Sequence, residues 1–310
     1  MLLAKWQNMR YLSAIWIVRL LMLMLMRRLI TITSISLLLV LKATTASAQW
    51  PAFSTPDVPR TADGAPDFNA PAPRTPEGRP DFSGLWELWA RSAANPNRGA
   101  TGGGADQPAS EPTPGVPPAA TFFDLGANME GGLPYQQWAR DLRDQRVADD
   151  MKDNPDANCL PMGHMQLHMH PQPRKIIQLP HLIVMIWEGN SGLRQIFMDG
   201  RPLPDNDPQP WWYGYSVGHW EGDTLVVETI GLRDDGWLDV NGSPFTSKGK
   251  ITERFTRVNY GHMVVDVTID DPSVYTAPFT VRAEHGIMLD TDLIEFICNE
   301  NEQSTEYFDP

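Results

Sequence analysis

The chain reads as a mainly β protein, an antiparallel meander closing into a barrel with one flanking helix, and three observations predict it. Short β-branched and aromatic runs recur from Lys175 to Glu306. Turn formers stand between them, including Pro180-His181, Asp199-Gly200, Asn259-Tyr260-Gly261 and Asp270-Asp271-Pro272. Proline fixes φ, glycine accepts positive φ, and Asn or Asp side chains bond their own backbone, so each marks a turn for its own reason. The stretch Trp211–Thr229, WWYGYSVGHWEGDTLVVET, combines both signals. Its aromatics lead into Gly218-His219-Trp220, a turn falls at Glu221-Gly222-Asp223, and Thr224–Ile230 alternates as a strand does, giving a β-hairpin with an aromatic root.

From the N-terminus, Met26-Arg27-Arg28, Leu29–Leu41 and Ala46-Ser47-Ala48 supply the charged start, apolar run and small-residue cleavage site of a secretory signal peptide. Residues 1–48 are therefore expected to be a leader cleaved after Ala48. The additional upstream run Tyr11–Leu25 points to a true start at Met26. The expected location is periplasmic or extracellular, with no stable membrane span in the mature protein. Residues 49–81 form a Pro-rich arm whose composition buries too little apolar surface to offset ordering entropy, so it is expected to be disordered. Within it, Thr61–Phe68 (TADGAPDF) is echoed by Thr75–Phe82 (TPEGRPDF).

Residues 82–310 are expected to be one β-barrel domain. Gly84-Leu85-Trp86 opens its first strand, 90–118 is a flexible insertion, and 133–151 is an amphipathic helix that ends at Asn154-Pro155. Strands follow at Ile176–Leu179, Leu182–Glu188, Gly192–Met198, Thr224–Ile230, Lys250–Val258, Met263–Asp270, Phe279–Glu284 and Leu293–Asn299. Roughly eight or nine strands are enough to close on themselves, and closure removes exposed edges.

Over the 310 residues the formal net charge is −13 and the basic residues are scattered. That leaves no electrostatic footprint for a phosphate backbone, so nucleic acid is excluded as a partner. Cys159 and Cys298 are the only cysteines. In an oxidising compartment they are expected to pair, two buried thiols being the alternative.

Gly84-Leu85-Trp86, Gly218–Leu225 and the long meander to Asn299 resemble the calycin or lipocalin-like barrels, which implies a small ligand held by the barrel. Asp156–Gly163 (DANCLPMG), Arg194–Pro202 (RQIFMDGRP), Tyr215–Thr229 and Thr252–Thr268 with Asn299-Glu300-Asn301-Glu302 are similar to a widespread group of secreted bacterial proteins. That resemblance spans Phe82 to the C-terminus and implies no reaction.

Three constellations could carry chemistry. In Gly163–His170 (GHMQLHMH), an extended backbone would aim His164, His168 and His170 to one side, a candidate zinc or copper site, with Met162, Met165 and Met169 favouring copper. Polar residues in alternating strands form the second set: Glu188, Arg194, Glu228, Glu253, Arg254 and Glu295. A carboxylate turned inward needs a partner such as arginine, and one with a raised pKa beside His219 would serve as general acid or base. The catalytic candidates are thus His219, Glu188, Arg194 and Glu228. The third set is aromatic: Trp187, Trp211, Trp212, Tyr213, Tyr215, Trp220 and Trp237, the residue types that line a pocket for a flat apolar molecule. The resulting expectation is an exported barrel that binds a small apolar or aromatic molecule through Trp187, Trp211, Trp212, Tyr213, Tyr215 and Trp220. The alternative is an enzyme in the same barrel, either metal-dependent or a cofactor-free isomerase or lyase.

Overall fold

The computed structural model describes residues 53–97, 114–205 and 209–300, with the single residues Met22, Met24 and Met26. The chain divides into two units, Met1–Phe53 and Ser54–Pro310. In the first, Met22, Met24 and Met26 are helical and exposed. The expected cleavage site after Ala48 and the centre of the expected insertion, 98–113, lie outside the described residues. Among the described residues no helix is long and apolar enough to cross a membrane.

The second unit is built on a closed barrel of nine strands. They are β1 (Gly84–Leu88), β2 (Arg174–Gln178), β3 (Leu182–Trp187), β4 (Leu193–Phe197), β5 (Tyr215–Glu221), β6 (Thr224–Ile230), β7 (Lys250–Arg257), β8 (His262–Asp270) and β9 (Phe279–Met288). Neighbours in sequence are neighbours in the sheet, and β9 closes on β1 through Leu85↔Met288 to Leu88↔His285. The mainly β closed barrel with its flanking helix agrees with the sequence reading.

Two details differ from a pure antiparallel meander. Strand direction cannot alternate all the way round a ring with an odd number of members, so one neighbouring pair must run parallel. That pair is β4 with β5, joined only at Ile196↔Ser216 and Phe197↔Val217. The second difference is that Leu293–Asn299 forms no strand. Because β9 already pairs with both β8 and β1, no edge is free to receive it. The segment is instead pinned by side chains: Lys175 Nζ donates to Asp292 at 2.8 Å, and Ile294 N–H to Glu188 at 3.2 Å. At its end Cys298 is bonded to Cys159, Cα–Cα 5.5 Å, as the cysteine count suggested.

The arm is ordered from Ser54 onward, contrary to its composition. Each copy of the echoed sequence closes the same loop: Thr61 N–H donates to Ala65 O at 2.9 Å and Thr75 N–H to Arg79 O at 2.8 Å. Arg60 and Arg74 each donate to the loop glycine carbonyl, Gly64 and Gly78, at 2.9 and 2.8 Å. What a short polar segment cannot supply by burial is supplied by the barrel rim. Arg74 is bidentate to Asp223 in the β5–β6 turn, and Gly261 N–H of the β7–β8 turn donates to Phe68 O at 2.9 Å. The arm thus fastens two turns at one end.

The other end holds the helices. α1 (Gln137–Ala148) is shorter than the expected 133–151 and buries only Ala139, with Trp138 46% exposed. Its Arg146 lies 4.3 Å over the Trp237 ring. α2 (His164–Met169) is buried along its whole length.

Side chains fill the barrel. Alternation along β7 turns Ile251, Glu253, Phe255 and Arg257 inward, and Trp86, Met185, Ile196, Val265, Val267 and Val281 meet them at 0% exposure. Apolar packing dominates, but titratable groups are buried with it, among them His164, His168, His285, Arg174, Arg194, Glu253 and Arg257.

Candidate functional site

The polar interior is organised by α2. Gly163 precedes it, and only glycine fits there, because a Cβ would lie 1.6 Å from Trp237 O. Pro171 follows and pushes His170 to ψ 137, which ends the helix. Between them, helical spacing brings His164 and His168 onto one face. His170 falls outside it; its Nδ1 accepts from Gln172 N–H at 3.3 Å and its ring meets Phe122 edge-on at 5.5 Å. The expected trio is therefore corrected: the segment is helical, not extended, and His170 is not part of the group.

Glu253 of β7 takes the third place. His168 Nε2 lies 2.7 Å and His164 Nε2 3.4 Å from Glu253 Oε1, and the three donor atoms are all within 4.8 Å of one another. Arg194 of β4 grips the same carboxylate from the other side, Nη1 to Oε1 at 2.9 Å and Nη2 to Oε2. The guanidinium is held in turn by Ser216 Oγ at 3.0 Å and Thr229 Oγ1 at 2.8 Å. A second guanidinium, Arg174 of β2, donates to His168 O at 2.9 Å and lies within 3.0 Å of both ring nitrogens of His285.

Electrostatics follow from burial and these contacts. Burial lowers the His164 imidazole to about 4, with the Arg194 charge adding to the effect. It also lowers His168 and His285, and brings Arg174 down to about 9. Burial alone would raise the Glu253 carboxyl, but Arg194 and the two histidines outweigh it and hold it well below the usual carboxylate range. Both imidazoles and the carboxylate are thus shifted downward together, and the three donor atoms form a group that could hold a metal ion. Among the described residues, His164 Nε2 and His168 Nδ1 are buried without a hydrogen-bond partner.

A second feature lies where the barrel is least paired. Beside the parallel β4–β5 contact a cavity of about 400 Å³ is lined by Leu193, Phe197, Trp211, Trp212, Tyr213, Tyr215 and Arg233, with Arg194 and Ser216 also on its wall. The aromatic segment is tied down by Trp211 N–H to Gly231 O at 2.8 Å and Arg233 N–H to Trp211 O at 3.1 Å. It turns at Gly214, φ +65, where a Cβ would meet Thr229 Cγ2 at 2.6 Å. Arg233 stacks over Trp212 at 4.7 Å. Trp187 sits behind this wall, stacked on Tyr213 at 6.1 Å and donating to Leu167 O of α2 at 3.1 Å.

No known family, characterised protein or solved structure matches this chain. Its chemistry must come from its own geometry.

Of the aromatic candidates, Trp211, Trp212, Tyr213 and Tyr215 converge on one cavity. Trp187 is buried beneath it at 2% exposure. Trp220 is elsewhere, stacked on Phe82 at 6.0 Å and lining a separate hollow against the arm with Arg79. The acid–base candidates do not assemble. His219 is exposed beside Glu221 at 3.4 Å, Glu228 is paired outside the barrel with Lys250 at 2.9 Å, and Glu188 accepts from Gln172 and Ile294. Arg194 alone points inward. Arg174 and His285 were missed: each is one of several polar residues in its strand, RKIIQ and FTVRAEHGIM, with no local signal to set it apart.

Proposed function

We propose that the protein is an exported binder of a small flat molecule, apolar or aromatic, held in the cavity at the β4–β5 junction. The observation that carries this reading is the convergence of four aromatic side chains on one cavity beside a stacked guanidinium. Aromatic faces give large contact area at low conformational cost, and Arg233, Gln195 and Gln209 supply polar groups that orient a ligand. The filled interior supports a site on this wall over one inside the barrel. The Cys159–Cys298 bond supports export. The test is a panel of aromatic and aliphatic compounds read by tryptophan fluorescence and thermal shift. A ligand that quenches the wild type and loses at least about tenfold in affinity in Trp212→Ala carries the reading; a panel without response, or one unaffected by Trp212→Ala, sinks it.

A second reading concerns the barrel core, where His164, His168 and Glu253 form a metal centre. It rests on a different observation, the His164 Nε2 that faces Glu253 Oε1 at 3.4 Å with no hydrogen-bond partner among the described residues. Elemental analysis of chain purified without chelator or affinity histidines tests it. Stoichiometric zinc or copper, lost in His168→Ala and retained in His170→Ala, supports this ligand set; loss in neither, or metal absent throughout, rejects it.

A further inference from the structure

Charge and donor count at His164, His168 and Glu253 separate one metal from another. The Glu253 carboxylate is already neutralised by the two-pronged Arg194 contact. A dication placed there would leave two net positive charges among side chains that are 4%, 0%, 0% and 2% exposed for His164, His168, Glu253 and Arg194. Burying uncompensated charge is costly, and repulsion from a fixed guanidinium doubles with the charge of the ion. Arg174, on the carbonyl of His168, adds a second buried cation to the same neighbourhood.

The donor set points the same way. A structural zinc takes four protein ligands, and a catalytic zinc takes three with a fourth position open to water or substrate. Here three donor atoms converge, and the residues that bear them are buried. Copper(I), a closed-shell monovalent ion, is satisfied by two or three nitrogen or sulfur donors and gains little from a carboxylate. The segment that carries the histidines is dry, and its soft thioethers Met162, Met165 and Met169 are buried at 1%, 0% and 7% exposure.

We infer that this core site takes copper(I) in preference to zinc, with His164 and His168 as its nitrogen ligands and Arg194 as the group that discriminates against dications. The inference rests on the metal-centre reading above. It makes Arg194 a selectivity residue acting through Glu253: by satisfying the carboxylate it withdraws the hard, charged donor a dication would need.

The full chain, stripped of metal and handled without oxygen, is titrated with copper(I) against a chromophoric copper(I) chelator and with zinc against a fluorescent zinc chelator. The expected result is one copper(I) per chain, bound at least about a hundredfold more tightly than zinc, with an X-ray absorption spectrum of nitrogen neighbours. His164→Ala is expected to abolish that binding, and Arg194→Met to narrow the preference by raising zinc affinity. Zinc binding as tight as copper(I), or sulfur scattering that moves the ion onto the methionines, overturns the copper inference and leaves a metal site standing. Binding of neither ion overturns both. The wild-type competition decides the question even where a variant fails to fold.

Discussion

Glu253 depends on Arg194 more than on any other residue. A buried ion pair gains little over a well-packed apolar pair, yet removing one partner strands the other charge in the core. Glu253→Gln is therefore expected to destabilise the protein by about 3–5 kcal/mol in urea unfolding, while the double change Glu253→Met/Arg194→Met costs much less than the sum of the two single changes. Additive costs would show that the pair is not coupled. Gly163 poses the opposite problem, one of space: with a carbonyl 1.6 Å from any added Cβ, Gly163→Ala must displace α2 from the Trp237 loop. A loss of roughly 2–3 kcal/mol is expected, and an unchanged melting temperature would mean that α2 does not seat there.

At the scale of elements, the loop between β6 and β7 is held by Asp239, whose carboxylate accepts Leu125 N–H at 2.9 Å, Ser243 N–H at 2.9 Å and Ser243 Oγ–H at 2.6 Å. Burial raises its pKa above the ordinary carboxylate value. The folded state then holds that proton more tightly than the unfolded chain, so its contribution to stability is full below the ordinary carboxylate pKa and is lost as pH rises through the raised value. Asp239→Asn is expected to remove this part of the pH dependence, measured as the wild-type minus variant stability difference shrinking with rising pH. A constant difference would refute it. The Cys159–Cys298 bond closes a sequence separation of 139 and ties the segment ahead of α2 to the C-terminal tail. Reduction is expected to cost up to about 5 kcal/mol through the entropy of the opened chain, seen as a lower midpoint in denaturant with reductant; no shift would assign the bond a local role only.

Strands were legible in the sequence at this scale because their signal is local: alternation and turn residues lie within a few positions of each other. The β5–β6 hairpin follows the predicted turn, with Glu221↔Thr224 closing it. Leu293–Asn299 has the same local signal and forms no strand, because pairing needs a free edge and closure leaves none. Helical against extended backbone at His164–Met169 was also beyond local reading, since both spacings were written into GHMQLHMH and only burial against the Trp237 loop decides. Glu253 lies 85 residues from His168 and was one of several carboxylates in alternating strands, so its face was not fixed until the barrel closed.

For the whole molecule, the two ends of the barrel are stabilised differently. Helices and long loops cover one end, while the arm fastens the turns at the other and leads directly into Phe82 and Trp86 of the core. Deleting residues 54–81 is expected to lower the melting temperature by several degrees, since Arg257 also loses the Asp81 carbonyl it donates to. An unaltered melting temperature would make the arm dispensable.

The odd strand count has one more consequence. Seven residue pairs join β5 to β6 and only two join β4 to β5, so the wall carries a seam that closure makes unavoidable and pairing leaves thin. Local opening starts where the fewest bonds must break, which makes Ile196, Phe197, Ser216 and Val217 the amides expected to exchange first among the barrel strands. A molecule seated across Leu193, Phe197 and Tyr215 would grip both lips of that seam. Its binding would then work as a clasp, and exchange at those four amides would slow in proportion to occupancy.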